Sequence, residues 1–214
     1  MKPQFVPTSE YTKRNLQGWT IRVNQQLLSD SCDIGTRVLR LLTKKLKVIR
    51  QVVPALACQQ LQNVSIWLGV NDGHAQCAEY HPSKTWLATN GYNPDKAECV
   101  EIGNARLFME WSREQPMLIL HELAHAYQHQ VLGWDNPQIK AAHQRALDMH
   151  LYDLVAYHDG TKKRAYALTD EQEFFAEVSE SYFGRNDFYP FTRRELQEHD
   201  PDTFHLVEEL WGVR

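Results

Sequence analysis

The sequence predicts an α+β fold with a small mixed sheet packed beside one buried helix. Three observations predict it. Residues 116–131, PMLILHELAHAYQHQV, surround a few polar groups with apolar residues and carry helix-boundary signals. Residues 64–70, VSIWLGV, and 99–109, CVEIGNARLFM, are rich in β-favouring residues. Residues 33–53 repeat Ile34, Val38, Leu41, Leu42, Leu46 and Ile49 at helical spacing, with Lys and Arg between them.

The elements follow in order. Residues 1–15 are polar, hold two prolines, and read as a loosely ordered lead-in. Residues 18–24 alternate as a short strand. Pro54 ends the amphipathic helix, and 55–61 read as one or two further helical turns. The strand at 64–70 is closed by Asn71-Asp72-Gly73. Residues 85–89 and 99–109 are two more strand candidates. The second feeds almost directly into 116–131, and reads either as a sheet edge able to accept an extended peptide or as an ordinary sheet strand. Pro116 suits a first helical position and Gly133 a stop. Asn136 and Pro137 open a helix over 137–151. Asp159-Gly160 lies between β-favouring runs and predicts a hairpin. Thr169-x-x-Gln172 reads as a capping box for a helix ending at Gly184. A last helix over 201–211 buries Phe204, Leu206, Val207, Leu210 and Trp211.

Composition bounds the function. The 214 residues carry 43% hydrophobic and 23% charged residues, with a net charge of −4. The chain is expected to form a single domain over 1–214. The acidic balance gives no reason to expect nucleic-acid binding. No apolar run approaches the ~20 residues of a membrane span, and the first residues lack the apolar stretch of a signal peptide. Compartment and oligomeric state have no signature. Cys32, Cys58, Cys77 and Cys99 form no C-x-x-C pair. They read as buried small side chains, with disulfides the alternative. His74, Cys77 and His81 form a second, weaker metal-ligand grouping.

The chemistry sits in His121-Glu122-Leu123-Ala124-His125. Residues four apart share a helix face, so His121 and His125 can offer two nitrogens to one ion. Glu122 lies about 100° round the helix. It is badly placed as a ligand but can reach a water at the same ion, the general-base position of a zinc peptidase. Two hydrogen-bonded core histidines are the alternative. A catalytic zinc takes three protein ligands and keeps one open position. The H-E-x-x-H-x-x-G-x-x-H route fails, because its last positions hold Gln128 and Val131. His129 is off that pattern and is expected at the helix end or in solvent. The other route draws a Glu from the helix in TDEQEFFAEVSESYFG, where Glu173 and Glu177 lie one turn apart. A solvated acidic face is the alternative there.

H-E-L-A-H-A-Y with a downstream Tyr, six residues and E-F-F-A-E resembles the catalytic domain of anthrax lethal factor and its relatives among the Glu-zincin metallopeptidases. The likeness can be placed from Glu114 to about Gly184. It implies a zincin-like fold, in which the sheet packs on the His-Glu helix and on a second, Glu-bearing ligand helix. It implies one Zn²⁺ per chain on His121, His125 and Glu173, with Glu122 as general base. It further implies that Glu177 accepts the other ring N–H of a ligand histidine, and that Tyr166 stabilises an oxyanion.

The function expected is zinc-dependent hydrolysis of peptide bonds in a peptide or protein substrate. A deformylase-like hydrolase would need a Cys ligand just before the helix, and Cys99 lies too far upstream. A zinc-stabilised, catalytically inactive peptide- or protein-binding domain is the other alternative. Such a domain requires neither Glu122 nor Tyr166, and a closed structural site needs a fourth ligand.

Overall fold

A computed structural model describes residues 5–29, 33–72 and 77–213. Its main sheet has five strands: β1 (Tyr11–Leu16), β2 (Trp19–Asn24), β3 (Ile66–Leu68), β4 (Ala78–Tyr80) and β5 (Val100–Ile102). The spatial order is β1-β2-β3-β5-β4. β2, β3 and β5 run parallel, and the edges β1 and β4 run antiparallel to their neighbours. Every residue of β3 and β5 is buried, as expected of central strands. Among the described residues no helix is long and apolar enough to cross a membrane.

Nine α-helices are described. α1 (Asp33–Val52) turns Val38, Leu42, Leu46 and Ile49 into the core, and α2 (Ala55–Leu61) follows Pro54. α3 (Lys84–Thr89) leads through a short turn to β5, and α4 (Ala105–Glu114) follows it. α5 (Leu118–Tyr127) is the His-Glu helix, and each of its ten residues is buried. α6 (Pro137–Asp148) is capped by the Asn136 side chain, as its sequence predicts. A minimal hairpin of β6 (Val155–Ala156) and β7 (Lys162–Lys163) precedes α7 (Glu171–Phe183). α8 (Arg193–His199) and α9 (Pro201–Leu210) close the chain. α5 packs against both α7 and β4. Tyr127 of α5 stacks on Trp211 at 4.3 Å between ring centroids, and Phe175 of α7 stacks on the same indole at 5.7 Å. The two helices are therefore held together through a shared aromatic neighbour.

Close approach fixes one glycine. A Cβ on Gly35 in α1 would lie 1.8 Å from the Leu27 carbonyl oxygen. Backbone cannot yield as a flexible side chain can. Gly35→Ala is expected to cost about 1–3 kcal/mol despite its better helix propensity. A lowered melting temperature checks this, and an unchanged one would refute it.

Several sequence expectations need correction. The lead-in over 1–15 contains β1. Gln17 and Gly18 both have positive φ, 57° and 104°, so they form the tight turn that folds β1 onto β2. Residues 85–89 form α3, because the Ser83 side chain accepts the Trp86 N–H and starts a helix. The run over 99–109 splits after Ile102. There the Asn104 side chain accepts the N–H groups of Arg106 and Leu107 and caps α4. The strand before the His-Glu helix is therefore internal, and the free edge belongs to β4. The cap of α7 is Asp170, one residue later than the Thr169 box implies. Among the described residues Cys58, Cys77 and Cys99 are free thiols. Cys32 and His74 lie outside the described residues. His81 is held by Glu101 at 2.7 Å, next to the buried Lys96 ammonium.

Candidate metal centre

The site lies where α5 and α7 face each other. His121 and His125 are one turn apart on α5, and their rings meet edge to face at 4.8 Å. Glu173 enters from the first turn of α7, whose N-terminus is fixed by the Asp170 side chain. Its Oε2 lies 2.9 Å from His121 Nε2 and 3.5 Å from His125 Nε2. The three donors thus converge. A tetrahedral ion with bonds of 2.0–2.1 Å sets neighbouring ligand atoms about 3.3 Å apart. The observed spacings bracket that value.

The partners of His121 test the fit further. Its Nδ1 lies 2.8 Å from Glu180 Oε1, while its Nε2 faces Glu173. A neutral imidazole has one N–H and cannot satisfy two carboxylates. Burial disfavours a charged His121, but Glu173 and Glu180 outweigh it and raise its pKa well above the usual value. A cation on Nε2 would take the place of that proton and leave Nδ1–H on Glu180. Burial likewise pushes Glu173 up, but both histidines outweigh it and hold its carboxyl well below the usual range. Two imidazoles and a carboxylate are a donor set that zinc takes.

Glu180 is the residue that sequence reasoning missed. Glu177, expected to support a ligand histidine, has its Oε1 at 3.8 Å from His121 Nδ1. Its Oε2 accepts from Asn186 Nδ2 at 3.1 Å. Positions 173, 177 and 180 share one helix face, and the third member of that spacing was the available signal. Burial and the neighbouring carboxylates of Glu180 and Asp187 raise the Glu177 pKa strongly. Glu180→Gln is expected to weaken metal binding by roughly 10–100-fold, and by more than Glu177→Gln does. Zinc titration against a chromophoric chelator measures both, and the reverse order would refute the assignment.

Glu122 faces the same cleft from the other side of the histidines. Its Oε2 accepts the backbone N–H of Tyr80 in β4 at 2.8 Å. Burial raises its pKa to about 7, against the opposing pull of His121 and His125. Such a carboxylate can both take and return a proton near neutral pH. Tyr166 is 46% exposed at the cleft mouth, and its hydroxyl donates to Glu173 Oε1 at 3.1 Å. His129 lies just past the end of α5, one of the two places expected for it. It is half-buried, and its Nδ1 pairs with the Tyr80 hydroxyl at 2.8 Å. After Tyr127 the helix widens into a π-helical segment, Gln128–Gly133, beside the site.

The cleft encloses about 670 Å³ and is lined by His121, Glu122, His125, Tyr166 and Glu173 among others. The chain matches the family described as anthrax toxin lethal factor, N- and C-terminal domain, over residues 4–210. It belongs to that family. The lethal-factor likeness thus extends beyond residues 114–184, from ahead of β1 to the end of α9. No curated protein and no solved structure gives a match.

Proposed function

We propose that this member of the lethal factor family is a zinc-dependent metallopeptidase with a zincin-like fold. The observation that carries the reading is the convergence of His121, His125 and Glu173 beside the buried carboxylate of Glu122. His121, His125 and Glu173 would hold one Zn²⁺. Bound zinc would polarise the scissile carbonyl and make water acidic enough to be deprotonated near neutral pH.

The protein's own residues supply the rest. Glu180 orients His121 through Nδ1. Glu122 takes a proton from the attacking water and delivers it to the leaving amine. Tyr166 exchanges its bond to Glu173 for one to the carbonyl oxygen as that oxygen gains charge. The edge strand β4 offers a seat for an extended substrate. His81 N–H and the Cys77 carbonyl are used toward β5, so the alternation of an antiparallel strand turns Ala78 and Tyr80 to the open side. There Glu122 already takes the Tyr80 N–H, and the Ala78 groups and the Tyr80 carbonyl are left for a peptide. A peptide can pair there beside Glu122.

The test combines metal analysis of the purified protein with a peptide-library digest. One zinc per chain and chelator-sensitive cleavage are expected. Zinc without any cleavage would favour the inactive binding domain, and absence of stoichiometric zinc would overturn the metal centre.

A further inference from the structure

We infer that the cleft selects a lysine or arginine side chain next to the scissile bond, with Asp187 as its charge partner. This rests on the peptidase reading and adds the class of substrate. Asp187 follows α7 and is only 3% exposed, yet it lines the cleft. It also lines an adjoining recess of about 170 Å³ with Trp111, Glu114, Gln115 and Tyr157. Its backbone is pinned on both sides. The N–H donates to Asn186 Oδ1 at 2.9 Å, and the carbonyl accepts from His158 N–H at 2.8 Å. Its carboxylate is not satisfied in the same way. Oδ1 is buried with no hydrogen-bond partner among the described residues.

A buried carboxylate without a donor is costly, and a cation is its strongest complement. Among the described residues no Lys or Arg lines either the cleft or the recess. The nearby Glu180 adds negative charge, which His121 and His158 offset in part. Glu114 adds an exposed carboxylate at the rim. Trp111 and Tyr157 provide flat aromatic walls, and the Lys163 ammonium lies 3.6 Å from the Tyr157 ring centroid. That combination suits a long aliphatic stem with a charged end. Trp111, Gln115, Tyr157 and Asp187 line both the recess and the cleft that holds His121 and Glu122. The recess therefore opens off that cleft.

Two readouts test this on the full chain. In the first, zinc-loaded protein digests a peptide library, and kcat/KM is compared for matched peptides with Lys, Arg, norleucine or Glu at each position around the cleaved bond. A preference of at least about tenfold for Lys or Arg at one position is expected, and Asp187→Asn should reduce it to near unity. In the second, fluorescence anisotropy compares the same labelled peptides on the Glu122→Gln protein with and without Asp187→Asn. Tighter binding of the basic peptides that depends on Asp187 is expected. Glu114→Gln, on the exposed rim, tests the recess should Asp187→Asn fail to fold, and it should lower both preferences by a smaller factor. Cleavage without a basic preference would overturn the inference and leave the peptidase reading standing. Absence of cleavage together with Asp187-dependent binding of basic peptides would do the opposite. Equal binding and equal cleavage of basic and neutral peptides would overturn it by both routes.

Discussion

Glu122→Gln is expected to lower kcat for peptide hydrolysis by about 10²–10⁴-fold, the usual contribution of a positioned proton-transfer group. The amide keeps the size of the carboxylate, and its oxygen can still accept the Tyr80 N–H. Fold and zinc content should therefore be retained, which separates loss of chemistry from loss of structure. Glu122 is the only carboxylate on the cleft-facing turn of α5. Glu173 is engaged with both histidines, so no neighbour is free to take over the proton transfer. Tyr166→Phe provides the comparison. Losing one oxyanion donor typically costs about 10²–10³ in kcat. KM should change little if the hydroxyl acts in the transition state. A Glu122→Gln protein that cleaves as fast as the parent would refute the mechanism.

Glu173→Gln should abolish stoichiometric zinc at concentrations that saturate the parent. The substitution removes the one anionic ligand and leaves two neutral imidazoles. Its effect on affinity should exceed the roughly 10–100-fold expected for an outer hydrogen-bonding partner such as Glu180. Melting temperature is a poor readout here. Without metal, Glu173 is itself the ion-pair partner of His121 and His125, so the variant perturbs the metal-free protein too. Competition with a chromophoric chelator measures the binding step directly. Unchanged affinity would move the third ligand elsewhere.

The parts of this molecule that were legible in its sequence are those in which one local signal dominates. The spacing of Val38, Leu42, Leu46 and Ile49 dictates α1, and Pro54 dictates its end. His121 and His125 share a face on any helix, and α5 is a helix because little in 118–127 opposes one. The misread parts are those in which a single side chain redirects a β-favouring run. Ser83 and Asn104 each start a helix by accepting backbone N–H groups. Composition alone does not weigh one such bond against several β-branched or aromatic neighbours. β1 was hidden for another reason. An edge strand with one solvated face needs few apolar residues, and TKRN at its centre looks like a loop. β4 spans only three residues, too few for a period to register. Glu180 was missed because Glu177 already filled the expected role. Choosing between two carboxylates on the same face takes distances, and spacing supplies none.

The bond from the Tyr80 N–H to Glu122 has a consequence for how this site tolerates sequence drift. Its donor is main chain, so it does not depend on which side chain occupies position 80. Replacing the tyrosine would free His129 and Gln130 from its hydroxyl and still leave the carboxylate anchored to the sheet. Only proline, which has no N–H, would cut the anchor. The distance between the proton-transfer group and the strand beside it is thus set by the backbone of the fold, and it can outlast wide divergence in the residues around it.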